Sequence, residues 1–366
     1  MHVGYAPALL AHRLGAMTRN EDFTVSRRRF LGLAAAAAAA LSACGSSSSK
    51  STTGTTAATG TTTAGRPAAL AGGRNVEIRT CVYAKNHASS MLYWQKFAPQ
   101  GVTVKVTPVT STTEILQALE SGTLDFGLMS PYVPMLTQPK GAITSRTVAM
   151  VARQGFGLIG KIGEVTKVAD LKGKKIAVPP PGSQLLVLNS LLAKAGITLG
   201  TGPDQVQGIP LGYADHLAAL TRGDVQAFIG SEPPCTQAVV NGVGQRLPGV
   251  FDTPLGDLNT ALWASSAMLK DDELCRATVR MQKAAAEYLT PKGVNDRAAW
   301  HDLLVDQFGF DEKVYNAALE NVGAQWEFNK ARQDQYVGVG KALVASGDLK
   351  AEPDYEALYA RQYWTV

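Results

Sequence analysis

DLKGKKIAVPPPGSQ, residues 170–184, contains a short strand, a proline and glycine turn, and the start of a helix. The pattern predicts a strand over Lys175–Val178 and a helix over Ser183–Ala195 that Gly196 closes. Backbone amides at a helix start are free to donate hydrogen bonds, and the helix dipole attracts negative charge. With Gly182 and the hydroxyl of Ser183, this turn could bind an anion, although an ordinary helix cap would have the same sequence.

The rest of the body repeats this alternation of strands and helices, which is typical of an α/β fold with a mainly parallel sheet. The predicted strands are Val76–Ala84, Val102–Val109, Asp125–Met129, Val206–Pro210 and Val225–Ile229, and the predicted helices include His87–Phe97, Glu114–Ser121 and Ala214–Arg222. Beyond Asp271 the chain is predicted to be nearly all helical. The extended segments Val148–Ile162 and Leu258–Ser266 separate the two series, so we expect two lobes joined by two crossings.

Two of the helix starts carry capping signals. Ser111-Thr112-Thr113-Glu114 has the spacing of a capping box. Ser130-Pro131 places a serine N-cap before a proline at the first helical position. The second signal follows directly on the predicted strand Asp125–Met129 and ends it.

The first 44 residues have the features of an export signal. Ser26-Arg27-Arg28-Arg29-Phe30-Leu31 resembles the twin-arginine motif, and the apolar residues 31–41 are too few to span a membrane. Leu41-Ser42-Ala43-Cys44 resembles a lipobox, which implies that Cys44 is lipidated. We therefore predict an exported protein held on the extracytoplasmic face of the cell membrane by a lipid anchor. Met1 and Met17 both remain possible starts.

Residues 45–73 are mostly Ser, Thr, Ala and Gly, a composition that predicts a flexible linker. The chain carries a net charge of +5, but its first 74 residues hold eight Lys and Arg against two Asp and Glu, so the body carries −1. This balance argues against nucleic acid as a partner. The domain prediction is a signal over 1–44, the linker over 45–73, lobe 1 over 74–155, lobe 2 over 156–257, and a return to lobe 1 with C-terminal helices over 258–366.

The body has few residues suited to metal binding or disulfide formation. Its cysteines, Cys81, Cys235 and Cys275, are odd in number and widely spaced, which favours buried free thiols. A bridge between Cys235 and Cys275 is the one pairing left open. The three histidines of the body show no metal-ligand spacing, so no metal and no cofactor are predicted.

Motifs of nucleotide binding and of hydrolysis are either weak or missing. Residues 155–160 match the dinucleotide fingerprint Gly-x-Gly-x-x-Gly, but strand-like residues flank them on both sides and no helix follows. The body contains neither a phosphate-binding loop ending in Gly-Lys-Ser or Gly-Lys-Thr nor a Gly-x-Ser-x-Gly elbow. A lobe crossing is the better interpretation of residues 155–160, and we predict that the protein is not an enzyme.

Three stretches together resemble one family of binding proteins. They are residues 170–183, residues 218–228 with Glu232-Pro233-Pro234, and residues 118–127. Their residue patterns resemble those of the periplasmic substrate-binding proteins of ABC transporters in the nitrate, sulfonate and taurine class. The resemblance covers roughly residues 75–244 and implies a type II periplasmic-binding-protein fold, in which two lobes close on a solute like a Venus flytrap. It also implies a monomer whose partners are an ABC permease and its ATPase.

Ligands of open α/β sheets bind beyond the carboxyl ends of the strands. Applied to the predicted strands, this rule gives candidate ligand-binding residues from both lobes. The candidates from lobe 1 are Tyr83, Lys85, Asn86, His87, Ser111, Thr112 and Ser130, and those from lobe 2 are Gly182, Ser183, Tyr213 and Glu232.

The sequence leaves the identity of the ligand open. Amide and hydroxyl donors would suit an alkanesulfonate or nitrate, and a cleft-facing Glu232 would add the ammonium of a taurine-like zwitterion. An aromatic wall of Tyr83, Tyr213 or Trp263 would instead suit a thiamine-precursor pyrimidine. Relatives of the same fold include pyrimidine-forming and menaquinone-pathway enzymes, and a receptor domain for a membrane sensor is a third possibility.

Overall fold

Strands and the helices between them build the part of the chain that the computed structural model describes, residues 67–141 and 143–366. The strands are β1 (Val76–Tyr83), β2 (Val102–Val109), β3 (Phe126–Met129), β4 (Arg146–Arg153), β5 (Phe156–Lys161), β6 (Lys175–Val178), β7 (Gln207–Pro210), β8 (Ala227–Ser231), β9 (Gly244–Arg246) and β10 (Leu258–Ala264). The helices are α1 (Trp94–Phe97), α2 (Thr112–Glu120), α3 (Tyr132–Thr137), α4 (Ser183–Lys194), α5 (His216–Arg222), α6 (Pro234–Val240), α7 (Ser266–Lys270), α8 (Asp272–Leu289), α9 (Arg297–His301), α10 (Glu312–Ala318) and α11 (Lys330–Ala345).

The strands form two groups that correspond to two lobes. In the first group β1 pairs with β2 in parallel, and β10 lies between β3 and β4, antiparallel to both. Asp125 joins β3 to β1, because its backbone N–H donates to Arg79 O over 2.9 Å. In the second group the order is β7-β6-β8-β5-β9. The predicted parallel pairings hold for β7-β6-β8, but the crossing strands β4, β5 and β10 pair antiparallel.

The first crossing from one group to the other is two residues long. Gln154 and Gly155 connect β4 to β5, and both have positive φ angles, 55° and 74°. The second crossing leads into β10. Gln154 N–H donates to Asp257 O over 2.7 Å, and the side-chain amide of Asn259 donates to Gln154 O, so hydrogen bonds join the two crossings.

The glycines of residues 155–160 are required by packing and not by a nucleotide. A Cβ on Gly157 would lie 2.8 Å from the guanidinium of Arg246, and one on Gly160 would lie 2.5 Å from Val165 O. The segment continues as the antiparallel strand β5, with no helix at its end. Of this motif, only Gly155 belongs to the two-residue crossing, and residues 156–160 lie in the strand that follows it.

Large aromatic side chains fill the core. Trp94, Trp263, Trp300 and Tyr336 are among the fully buried side chains. Cys81, Cys235 and Cys275 are buried free thiols, the arrangement favoured from their spacing, and Cys235 is not bridged to Cys275. None of the described helices is both long enough and apolar enough to cross a membrane.

The start of the folded body lies earlier than predicted. The signal over 1–44, Cys44 and most of the linker lie outside the described residues, but the last part of the expected linker, from Pro67 to Gly73, is described. Leu70 is buried in the core and Ala71–Gly73 forms a 3-10 turn. Leu70 is a large apolar residue in a stretch that otherwise lacks them, and its burial ends the linker before residue 70. The lobe boundaries at 155 and 257 remain predictions.

Four predicted helix starts need correction. Helix α5 begins at His216, after a 3-10 turn over Tyr213–Asp215, and not at Ala214. The helix expected over His87–Phe97 is reduced to a 3-10 turn, Ser90–Tyr93, followed by α1, because Asn86 Oδ1 accepts Ala88 N–H in a local turn. Helix α2 starts two residues early, at Thr112, and Glu114 accepts from Thr110 and not from its cap Ser111. Helix α3 has Pro131 as N-cap without a side-chain cap, so Ser130 is not its cap.

Candidate functional site

A small enclosed cavity lies where the ends of the strands of both groups meet. Its volume is about 20 Å³, room for about one water molecule. Its lining consists of Tyr83, Asn86, Thr112, Ser130, Phe156, Ser183, Gln184, Tyr213, Asn259 and Thr260. No residue of this lining carries a charge at neutral pH. We call this space the polar cavity, and these ten residues its lining.

Ser183 is the first residue of helix α4, and it lines the polar cavity. Gly182 is the N-cap of α4 and has no side chain to cap the first turn. The hydroxyl of Ser183 is buried without a hydrogen-bond partner, and the residue is only 5% exposed. Because a buried polar group without a partner costs free energy, this hydroxyl is suited to a ligand atom that accepts or donates a hydrogen bond.

The opposite wall brings together the ends of β1, α2 and β3. Tyr83 OH and Thr112 Oγ1 are 3.0 Å apart and share a hydrogen bond. Tyr213 meets Tyr83 edge to face, with their ring centroids 6.1 Å apart. Burial raises the pKa of Tyr83 and of Tyr213 above their usual range, so both keep their hydroxyl protons near neutral pH. Ser130 lies in the same wall, nearly buried.

The return strand β10 supplies two residues that the sequence reasoning missed. Asn259 and Thr260 lie at its start, and Thr260 Oγ1 is a second buried hydroxyl of the polar cavity without a partner. Phe156 and Gln184 were also missed. The sequence does hold a signal for Asn259 and Thr260, because these two polar residues interrupt an otherwise apolar run over residues 258–264. All seven residues of that run are buried.

Several predicted residues lie outside the polar cavity. Lys85 is exposed, with its ammonium 5.7 Å from the ring centroid of Phe310. Ser111 caps α2, accepting Glu114 N–H over 3.2 Å. Trp263 is a core residue whose indole N–H donates to Met129 O over 3.2 Å, so it forms no aromatic wall.

His87 is buried beneath the first crossing. A Cβ on Gly155 would lie only 1.8 Å from His87 Cε1, so the ring packs directly against the backbone of the crossing. Burial lowers the pKa of His87 to about 4, although the backbone carbonyls of Arg153 and Glu232 beside the ring act to raise it. The ring is therefore neutral at neutral pH and supports the crossing instead of lining the cavity.

Glu232 does not face the polar cavity. Its side chain is 0% exposed and pairs with the guanidinium of Arg246. The second carboxylate oxygen accepts Thr236 N–H over 3.0 Å, in the first turn of α6. This carboxylate is therefore fully engaged within the protein and cannot bind the ammonium of a ligand. Among the described residues, no group of three His, Cys, Asp or Glu side chains is arranged to hold a metal ion.

Comparison with known proteins points to a family and to a fold. Residues 94–292 match the family described as NMT1/THI5 like. A Brucella abortus protein named as a binding protein is 32% identical over 307 residues, which cover 76% of this chain and 86% of that protein.

Solved structures with the same fold include both binding proteins and an enzyme. An alkanesulfonate-binding protein from Xanthomonas axonopodis, bound to MOPS, matches with a TM-score of 0.60 and 20% identity over 82% of this chain and 99% of its own. The periplasmic nitrate-binding protein from Synechocystis has a TM-score of 0.64 and 15% identity, covering 79% and 87%. A desulfurization enzyme has a TM-score of 0.56 and 13% identity, covering 79% and 97%. The predicted two-lobed periplasmic-binding-protein fold is confirmed.

Proposed function

The chain belongs to the NMT1/THI5-like family, and from this premise we propose that it is the extracytoplasmic solute-binding component of an ABC importer. Its solute is a small anion of the nitrate or alkanesulfonate class, which is larger than the polar cavity of about 20 Å³, so the lobes must part to admit it before the loaded protein delivers it to the permease. The observation that carries this proposal is the polar cavity, in which two buried hydroxyls, those of Ser183 and Thr260, have no partner within the protein.

The chemistry of the cavity favours a monoanion. Nitrate and sulfonate oxygens only accept hydrogen bonds, and the cavity offers hydroxyl and amide donors together with the uncapped start of α4. Neither a cation nor a carboxylate is among the lining residues. A taurine-like ammonium would therefore be left without a counter-charge, because Glu232 is paired with Arg246.

A flat heterocycle is the second candidate. The rings of Tyr83, Phe156 and Tyr213 all line the polar cavity and could stack on a pyrimidine, while Asn86, Gln184 and Asn259 could bind its ring nitrogens. The same lining supports a binding role over an enzymatic one. It contains no His, Cys, Asp, Glu or Lys, and the pKa values of its tyrosines are raised, so it lacks a general acid or base for neutral pH.

Thermal shift of the purified body against nitrate, alkanesulfonates, taurine and pyrimidines tests this proposal. A ligand at a hundredfold its Kd should stabilise the folded protein by about 2.7 kcal/mol. We expect sulfonate or nitrate to raise the Tm and taurine to do so less than an alkanesulfonate of similar size. Stabilisation by pyrimidines alone would favour the heterocycle, and no stabilisation by any of them would contradict the proposal.

Ser183→Ala and Thr260→Val identify the donors in the same assay. Each removes one hydroxyl that would bind a charged oxygen, so we expect each to weaken binding about tenfold to a hundredfold. Ser190→Ala is the matched control on α4, because its hydroxyl donates to Leu186 O within the helix. Wild-type affinity in Ser183→Ala would show that this serine serves only the helix.

The lipid anchor is proposed from the leader alone. If Cys44 is acylated, the protein should fractionate with membranes and release only with detergent, and Cys44→Ala should leave it unprocessed or soluble. Cys81→Ala, which changes a buried thiol of the body, is the control. Unchanged processing and membrane association in Cys44→Ala would rule out the anchor.

A further inference from the structure

A second cavity, of about 380 Å³, shares no lining residue with the polar cavity. Its walls come from the end of β4, the end of α8 with the turn after it, the segment before α11 and the first turn of α11. Five of its lining residues carry a charge at neutral pH, whereas the lining of the polar cavity carries none. They are Arg153, Glu287, Lys292, Glu327 and Arg332. We call this space the charged cavity.

The charge of Arg332 is balanced within the protein, but one of its donors is not used. Arg332 is buried and forms an ion pair with Asp257, in which Nη2 lies 3.1 Å from Oδ2. Nε of the same guanidinium is buried without a hydrogen-bond partner. A buried donor without a partner costs free energy. An acceptor atom of an occupant in the charged cavity would remove that cost.

The other four charges of the lining are two cations and two carboxylates that do not pair with one another. Among the ion pairs of residues 67–141 and 143–366, none involves Arg153, Lys292, Glu287 or Glu327. The guanidinium of Arg153 donates only to a backbone oxygen, Gly293 O, over 3.2 Å. A charge whose partner the protein does not supply attracts a group of opposite sign from solution. Since the four charges sum to zero, an occupant that carries one charge of each sign suits them better than an anion or a cation.

The remaining walls favour an organic occupant. Ala286, Ala324 and the half-buried ring of Trp326 add apolar surface between the charged groups. Lys292 has a φ of 52° and a ψ of 30°, and Gly293 after it has a φ of 80°. A lysine in this left-handed region is strained, and residues held in that way cluster at ligand sites.

We propose that the charged cavity is a second binding site, which takes a small zwitterion of the amino acid class. Arg153 and Nε of Arg332 bind its carboxylate, and Glu287 and Glu327 bind its ammonium group. The site lies beside the crossings, because Arg153 directly precedes Gln154 and Arg332 holds the Asp257 carboxylate. It is separate from the polar cavity and does not depend on the function proposed for that cavity.

Calorimetric titration with glycine, β-alanine, 4-aminobutyrate and 6-aminohexanoate tests the proposal. These probes separate the same two charges by increasing lengths, so the series finds the spacing that the cavity accepts. For each length, the carboxylate and the amine with the same number of carbons are the single-charge controls. Each control lacks one charge-assisted interaction. We therefore expect the best zwitterion to bind at least about tenfold more tightly than either of its controls.

Variants locate the bound zwitterion. Arg153→Gln removes the cation that binds the carboxylate and should weaken the best probe about tenfold to a hundredfold. Lys292→Gly should weaken it about threefold to tenfold without lowering the Tm, because glycine suits the left-handed backbone there. Arg222→Gln, which changes a cation outside the charged cavity that is paired with Asp224, should leave the affinity unchanged. Ser183→Ala, which changes the polar cavity, should also leave it unchanged.

Three results would overturn the proposal. If no zwitterion of the series binds, the charges of the cavity are only hydrated. If a zwitterion binds no better than its single-charge controls, the site does not select both charges. If Ser183→Ala weakens binding while Arg153→Gln and Lys292→Gly do not, the zwitterion occupies the polar cavity. None of these results involves nitrate or a sulfonate, so the function proposed for the polar cavity stands or falls separately.

Discussion

Gly155→Ala is expected to lower the free energy of unfolding by about 4 kcal/mol, whereas Gly163→Ala should lower it by about 1 kcal/mol. Both glycines have nearly the same positive φ, 74° and 75°, so the backbone penalty of a side chain is shared. The surroundings differ. A Cβ at residue 155 would lie 1.8 Å from the buried ring of His87, while nothing lies within 4 Å of one at residue 163.

Urea denaturation of the two variants measures this difference directly. The gap between them isolates the cost of packing against His87, because the strain of a left-handed alanine cancels. Equal losses would mean that the ring of His87 moves aside at no cost. In that case the crossing would be supported by its hydrogen bonds alone.

Arg246→Met is expected to lower the free energy of unfolding by about 3 kcal/mol, because it leaves the carboxylate of Glu232 buried without its partner. Glu232 is 0% exposed, and Thr236 N–H would be its remaining hydrogen-bond donor among the described contacts. Arg222→Met is the control. The ion pair between Arg222 and Asp224 has both side chains more than half exposed, so its loss should change stability by less than about 1 kcal/mol.

The double variant Arg246→Met with Glu232→Gln shows whether charge is the cause. A neutral amide costs less to bury than an unpaired carboxylate, so part of the lost stability should return. The comparison needs the melting temperatures, measured without ligand, of the wild type, Arg246→Met, Arg222→Met and the double variant. If Arg246→Met melts as the wild type does, Glu232 must be reached by water or find another partner.

Local sequence patterns predicted the elements that depend on neighbouring residues. Strand β2 matches its prediction over Val102–Val109 because β-branched residues alternate there, and β6 matches over Lys175–Val178. Helix α4 begins at Ser183 as predicted, since a glycine turn and an apolar helical run fix its start. Of the predicted site residues, Tyr83, Asn86, Thr112, Ser130, Ser183 and Tyr213 line the polar cavity.

What the sequence could not predict depends on residues that meet only in the folded chain. Glu232 stands before two prolines and has the pattern of a surface turn. In the structure its side chain is buried and forms an ion pair with Arg246, fourteen residues further along the chain. His87 follows the first strand like a ligand-binding residue, but Gly155 covers it. The sequence predicts Thr260 within an extended crossing segment, and only the pairing of β10 between β3 and β4 brings its hydroxyl to the cavity.

The hydrogen bonds between the two crossings have a mechanical consequence. Gln154 is bonded to both Asp257 and Asn259, and the carboxylate of Asp257 is held by Arg332 in the first turn of α11. A backbone rotation at Gln154 would strain its hydrogen bonds to Asp257 and Asn259, so we expect the two crossings to move together and not independently. A spectroscopic label on an exposed position of this helix, such as Lys330, would test whether α11 moves with the crossings when a ligand binds.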